Sequence, residues 1–377
     1  MKKIIILFLL LAGFYFIFVN KKNTKSTISS TNKQPLQIEN KEIKSKNSLF
    51  VPYWALGKRD YVSSLYDAYY YFGITVDQKG LIKTEPGYTG LAQFSCPNKK
   101  KCYLVIRMLD NEISKSILTD IKTQEIVIKQ TLNIADMYSF SGVALDLELS
   151  GIFNGELTGQ ISSFVQRYYT STKKNYKTFS FIVYGDNYYR KRPFDIKSIG
   201  TYSDEVMVMA YDFHKNYGEP GPNFPFDRRP VRRSLNEGGS LGEGGNFNYG
   251  YNFQQMIFDF SADVSPKKLT IIFGMYGYDW TLNAQGLPLK RGKAVTVKEI
   301  DIMTNDKSQI TNQFPSFVKT TEGKQNLNSK EKKIEYIDAE NFKHVIYYED
   351  EESAAIKADY LRKVGIGSVS FWAWGYF

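Results

Sequence analysis

Eight short apolar runs recur along the chain, and they limit the architectures it can adopt. They lie at 49–56, 68–75, 103–108, 142–149, 178–183, 205–211, 269–276 and 368–374. Each has the length and the β-branched or aromatic content of a strand. Helix-like segments at 114–137, 158–172, 253–262 and 353–364 separate several of them. Strands alternating with crossovers favour a parallel sheet, and eight of them favour a closed (β/α)8 barrel over a sandwich. The crossover after Thr75 fits least well, because Gly80, Pro86, Gly87 and Gly90 interrupt any helix there. In such barrels the active site lies at the C-terminal ends of the strands, so chemistry is expected from the last residues of each run.

The fourth run meets that expectation. Phe140-Ser141-Gly142-Val143-Ala144-Leu145-Asp146-Leu147-Glu148-Leu149 alternates with a period of two. Val143, Leu145, Leu147 and Leu149 share one face, and Gly142, Ala144, Asp146 and Glu148 share the other. Helices covering the aliphatic face would aim both acids into one enclosed space. Charges are rarely buried unless paired or used, so Asp146 and Glu148 are the leading candidates for chemistry. The same parity places Met207, Met209 and Tyr211 on one face of the sixth run, and Ser368, Ser370 and Trp372 on one face of the eighth.

The remaining segments suggest an address and a shape. Met1-Lys2-Lys3 precedes an apolar run at 4–19, which reads as an export signal, either an uncleaved membrane anchor or a cleaved signal peptide (residues 1–19). Residues 20–47 are rich in Lys, Asn, Ser and Thr and form a polar linker, so the folded part is expected at 48–377. Cys96 and Cys102 are the two cysteines, and in an exported protein so close a pair can form a small loop disulfide. Two cysteines and the distant His214 and His344 make no metal-ligand cluster, and neither a metal nor a cofactor is expected.

Two connections are long. Residues 213–250 are crowded with Gly, Pro, Arg and Asn, as in a cleft wall. Residues 281–348 include a Lys-rich patch at 319–333 and two alternating runs at 334–338 and 344–348. These runs predict a small α+β insertion between the seventh and eighth strands. The net charge of +10 is scattered, with no nucleic-acid module, so it suits solubility and attraction to an anionic membrane or wall polymer rather than nucleic acid. The 28 Tyr and 26 Phe supply flat surfaces on which sugar rings stack, although most such rings fill core edges.

Four motifs in barrel order resemble glycoside hydrolase family 18, the family of chitinases and related N-acetylglucosaminidases. Ser141-Gly142-Val143-Ala144-Leu145-Asp146-Leu147-Glu148 is similar to its Asp-Gly-x-Asp-x-Asp-x-Glu signature and matches the last two acids. Met209-Ala210-Tyr211-Asp212 resembles the strand-six Met-x-Tyr-Asp motif. Phe273-Gly274-Met275-Tyr276-Gly277-Tyr278-Asp279-Trp280 resembles strand seven, in the form found in the spore-germination and cortex-lytic branch. Phe371-Trp372 looks like strand eight.

The resemblance implies a glycosidase acting on a β-linked N-acetylglucosamine polymer, peptidoglycan or chitin-like with peptidoglycan preferred, by substrate-assisted catalysis, and a monomer is expected. Glu148 would be the proton donor, Asp146 the acetamido anchor, and Tyr211 a donor to the acetamido carbonyl. Asp212 would support the site, Trp372 would floor it, and Tyr53 and Tyr276 would wall it.

The chain departs from the family pattern at Ser141 and Ala144. In many members an inner Asp at the position of Ala144 shares a proton with the next Asp. On strand three, Arg107-Met108-Leu109-Asp110-Asn111 replaces the family's Ser-x-Gly-Gly. These departures keep a carbohydrate-binding protein on a decayed barrel as a second reading. Retention of Glu148 favours the enzyme.

Overall fold

Alternation of side chains closes the chain into a barrel. The computed structural model describes residues 45–57, 60–150, 155–226, 250–305 and 329–377. The apolar run at 4–19 and most of the polar linker lie outside the described residues, as does the arginine-rich stretch 227–233. The barrel strands are β1 (Lys46–Pro52), β2 (Ala68–Asp77), β3 (Lys101–Met108), β4 (Gly142–Leu147), β5 (Thr178–Tyr184), β6 (Glu205–Ala210) and β7 (Leu269–Gly274). After the insertion strands β8 (Tyr276–Leu282), β9 (Lys293–Thr296), β10 (Lys332–Ile337) and β11 (Lys343–Tyr348) comes the last barrel strand, β12 (Ser368–Trp372). Each barrel strand pairs in parallel with the next, and β12 returns to β1, so the parallel sheet has no open edge. The expected (β/α)8 barrel is present.

Parity decides the two cores. Val143, Leu145, Leu147 and Leu149 join the cluster between strands and helices. Each such buried aliphatic side chain contributes roughly 1.5–3 kcal/mol by leaving water. Ala144 faces the lumen with Phe50, Phe72, Ile182, Met209 and Ile272. Gly142 opens the strand because a Cβ there would lie 2.4 Å from the Thr178 carbonyl oxygen, so only glycine allows β5 this close. At the opposite end from the site, Glu205 accepts from the Tyr70 hydroxyl (2.6 Å), Ser180 (2.9 Å) and Thr270, with Lys46 at 3.6 Å. The N-terminal end of the lumen is thus a satisfied polar cluster.

The helices cover the outer face. They are α1 (Asn111–Thr119), α2 (Ile121–Met137), α3 (Gly155–Lys174), α4 (Ile196–Thr201), α5 (Phe253–Asp263) and α7 (Glu351–Lys363), whereas α6 (Val297–Asn305) packs on the insertion. The single helix expected at 114–137 is two. Asp110 caps α1 by accepting from Glu112 and Ile113 amides, and Asp120, in an extended conformation, ends α1 and caps α2. The crossover after β2 is a turn with the short pair Gly80–Leu81 and one-turn helices. Cys96 and Cys102 are disulfide-bonded just before and at the start of β3, with Cα atoms 5.8 Å apart.

The insertion is a four-stranded antiparallel sheet in the order β9-β8-β11-β10, with α6 beside it. It begins at Tyr276, earlier than the residue 281 expected, because Tyr276–Trp280 is apolar enough to look like a continuation of β7. Along β8, Tyr276, Tyr278 and Trp280 face one cluster, which Tyr211 and Trp372 also touch. Gly277 and Asp279 alternate to the other face. A Cβ at Gly277 would lie 2.0 Å from the Tyr347 carbonyl oxygen, which explains the glycine between the tyrosines. Asp279 instead accepts from Tyr336 (2.5 Å) and contacts His344 (2.8 Å).

A buried ion-pair triad ties the insertion to the barrel. Lys357 of α7 contacts Glu331 (2.7 Å) and Glu349, and all three side chains are fully buried. Glu331 also accepts from the backbone amides of Asn223 (2.5 Å) and Phe224 (2.7 Å). Asn223 in turn donates to the Tyr276 carbonyl at 2.6 Å, at the junction of β7 and β8.

Candidate active site

The C-terminal mouth of the barrel holds a cavity of about 220 Å³. Asp146, Glu148, Tyr211, Asp212, Tyr276 and Trp372 all line it. They come from β4, β6, β8 and β12 or the residues just after them, so the barrel brings together positions more than 200 apart in sequence. Ser141, by contrast, is exposed before β4 at the other end, where its departure from the family pattern touches nothing in the cavity.

The two acids share one environment. Burial pushes the Asp146 carboxyl well above the usual carboxylate range, and Glu148 adds to the effect while Arg107 opposes it. Burial also raises Glu148 and Asp212 adds to this, against the Tyr184 hydrogen bond, Lys215 and Arg107. The Tyr184 hydroxyl donates to Glu148 Oε2 at 3.0 Å. The pair therefore retains a proton at pH values where free carboxyls have lost theirs, and its titration belongs to both residues jointly. Ala144 beneath them is buried and apolar, and Asp146 Oδ1 has no hydrogen-bond partner among the described residues.

Asp212 follows β6 with φ +56, a left-handed conformation that Asp adopts more readily than most residues. Its Oδ1 accepts from both Tyr276 and Tyr278, the latter at 2.8 Å. The Tyr-Gly-Tyr spacing thus delivers two hydroxyls to one carboxylate. Trp372 packs edge-on against Phe72 (4.4 Å between centroids) and Phe50 (5.6 Å), which orients the indole at the cavity.

Tyr53 is the exception among the expected wall residues. It does not line the cavity. β1 ends at Pro52 and a 3-10 turn follows, so strand parity no longer holds. The Tyr53 ring lies against Gly73 and the outer core. Its neighbour Trp54, 36% exposed, packs edge-on against Phe72 (6.0 Å) and Trp372 (6.2 Å) without lining the cavity.

Several cavity residues were not anticipated. Tyr184 is one residue past the expected end of the fifth strand, although its parity with Ser180 and Ile182 marks it. Arg192 stacks 3.6 Å from the Tyr184 ring centroid and is held by Asp186 through Nε (2.5 Å) and Nη2 (3.1 Å). Lys215 lies in the loop after β6, where no periodic pattern exists to reveal it. Asn111, which follows strand three as the first residue of α1, bonds Ser150 rather than the acids and pins the loop after β4 (2.9 and 3.0 Å).

Residues 110–376 match the sequence profile of Glycosyl hydrolases family 18. The chain belongs to that family. It is 26% identical over 282 residues to Uncharacterized glycosylase YvbX of Bacillus subtilis (strain 168), covering 72% of this chain and 65% of that protein. It is 22% identical to Cortical fragment-lytic enzyme of Bacillus anthracis, covering 81% of this chain and 64% of the relative. The chain therefore spans just under two thirds of these relatives' lengths. The Bacillus cereus spore cortex-lytic enzyme SleL superposes with TM-score 0.61 at 18% identity, covering 89% of this chain and 72% of that one. The Class V Chitinase from Nicotiana tobaccum superposes with TM-score 0.70 at 16% identity, covering 88% and 94%. These likenesses establish the shared barrel.

Proposed function

We propose that the protein is a glycoside hydrolase that cleaves β-linked N-acetylglucosamine polymers by a substrate-assisted, retaining mechanism. The observation that carries this reading is the placement of Asp146 and Glu148 together in one enclosed cavity, with Tyr211 and Trp372 around them. The 2-acetamido oxygen of the substrate attacks the anomeric carbon while Glu148 protonates the leaving oxygen. Asp146 orients the acetamido group and offsets the developing oxazolinium charge, and Tyr211 donates to the acetamido carbonyl. Water then attacks the anomeric carbon, with Glu148 as base. Two inversions give net retention. Trp372 stacks beneath the reacting sugar, and Tyr276 and Tyr278 fix Asp212 at the edge of the site.

Peptidoglycan is the preferred substrate. The relatives named cortical fragment-lytic enzymes support it, as does a net charge of +10, which suits an anionic wall. The orphaned Asp146 Oδ1 above Ala144 favours a second reading, a sugar-binding protein with little turnover. The full chain, incubated with peptidoglycan fragments and with N-acetylglucosamine oligomers, distinguishes these. Release of new reducing ends, faster from peptidoglycan, is the expected result. Saturable binding without release from either polymer would move the assignment to the second reading.

The protein acts outside the cytoplasm. The Cys96–Cys102 disulfide supports an oxidising compartment, and the basic start with the apolar run at 4–19 supports export. No described helix is long and apolar enough to cross a membrane, so a membrane tether rests on the run at 4–19. Terminal sequencing of the mature protein checks it. Met1 retained in a membrane fraction is expected, and a chain starting beyond the apolar run would replace the tether with a cleaved signal.

A further inference from the structure

Ala144 leaves a charge problem in the lumen. The side chain is 1% exposed and offers no hydrogen bond. Asp146, the next lumen-facing residue on β4, is 2% exposed, and its Oδ1 has no hydrogen-bond partner among the described residues. Glu148 adds a second carboxyl two residues on. A carboxyl in that position keeps its proton unless something favours the charged form. A protonated Asp146 would be of little use beside a developing oxazolinium cation.

The register of the barrel supplies a cation. β3 pairs with β4 so that Arg107 stands opposite Asp146, just as Val105 stands opposite Ala144. Val105 and Ala144 both face the lumen, so Arg107 and Asp146 share that parity. The Arg107 guanidinium carbon lies 4.6 Å from the centroid of Phe72, a ring that lines the cavity. This stacking holds the charge on the lumen side. Its Nε is buried without a hydrogen-bond partner, and no carboxylate of the described residues lies within ion-pair distance. Arg192 differs, because Asp186 already binds it through two nitrogens.

We propose that Arg107 is a positioning residue that favours the charged form of Asp146 against burial and Glu148, standing in for the proton-sharing acid that Ala144 has replaced. The proposal rests on the substrate-assisted reading of this site. The groups that face Asp146 are Arg107 from β3, Glu148 from its own strand, Tyr184 from β5 and Tyr211 from β6. Lys215 and Asp212 act on Glu148 from the loop after β6. Arg107 alone among the groups acting directly on Asp146 lowers its affinity for a proton.

The test reads Asp146 directly. Full-length protein labelled with 13C at aspartate carboxyls would be titrated by NMR, with Asp146→Asn assigning the resonance. Arg107→Met is expected to move the Asp146 titration upward by about 1 pH unit, the low end of the effect of an opposite charge, because the two groups are not in ion-pair contact. The acid limb of kcat should rise in the same direction, since Asp146 must be ionised in turnover. Arg107→Lys should restore most of both. Adding Ala144→Asp to Arg107→Met should also recover activity, because it returns a proton-sharing partner. If Arg107→Met fails to fold, Arg107→Gln removes the charge while keeping most of the volume. An unchanged Asp146 titration in the uncharged variant overturns the proposal, whatever happens to Tm. A shifted titration in a protein that turns over no polymer would support the role of Arg107 and remove the hydrolase reading instead.

Discussion

Glu148→Gln is expected to lower kcat on N-acetylglucosamine polymers by about 10²–10⁴-fold, the usual range for a general acid–base. Glutamine keeps the shape of the side chain, and its carbonyl oxygen still accepts from the Tyr184 hydroxyl that now lies 3.0 Å from Glu148 Oε2. It cannot carry the proton. Binding of oligomers should survive, because Trp372, Tyr211 and Asp146 remain. The variant should be at least as stable as the wild type, since burial disfavours ionised Glu148 and the change removes that burden. Initial rates with an equilibrium melt check both halves. A rate loss below about tenfold would assign the proton to another group. Loss of binding along with rate would mean that Glu148 shapes the subsite rather than donating to it.

The largest stability effect is expected far from the acids, at Lys357. This ammonium lies between Glu331 and Glu349 with no solvent access. Lys357→Met leaves two buried carboxyls facing each other, which should cost about 3–5 kcal/mol of unfolding free energy. The effect should reach the site. Glu331 holds the Asn223 amide, Asn223 holds the Tyr276 carbonyl, and the Tyr276 hydroxyl holds Asp212. Urea unfolding measures the first consequence and kcat/KM the second. A loss under about 1 kcal/mol would mean that water or a protonated carboxyl replaces the lysine at little cost.

The triad also predicts a pH dependence. Burial pushes Glu349 up to about 8 from an ordinary 4.5, against the pull of Lys357. The folded state then holds a proton that the unfolded chain has released. Stability from this group is complete below about 4.5 and is lost as pH rises through about 8. Glu349→Gln should flatten that part of the urea-midpoint profile between pH 5 and 9. The same slope in both proteins would place the titration elsewhere.

Much of the barrel was legible because strand parity is a local property. The run at 142–149 sorted its own leucines from its acids, and the structure keeps that sorting in two separate cores. Local signals failed where an element changed partner without changing composition. Tyr276–Trp280 is apolar in the manner of β7, yet it starts the insertion sheet. The segment 114–137 is helical throughout in propensity, yet Asp120 prefers to cap a second helix. Tyr53 looked like a strand end, but β1 stops one residue earlier and the Tyr53 ring packs against the outer core.

The amino-acid sequence by itself determined which side chains face the lumen, since a period of two needs no knowledge of neighbours. It therefore named Asp146, Glu148, Tyr211 and Trp372 as residues pointing the same way. Only the tertiary structure decided which atoms meet. Whether Arg107 stands opposite Asp146 depends on the register between β3 and β4. That two tyrosines of the insertion converge on Asp212 depends on how β8 leaves the barrel. That Lys357 finds both glutamates depends on where the insertion and α7 close. These contacts join residues 8 to 66 positions apart, and no local pattern carries the distance between them. The physical reason is that periodicity fixes direction along one strand, whereas the charge state of a buried acid depends on everything that surrounds it in space.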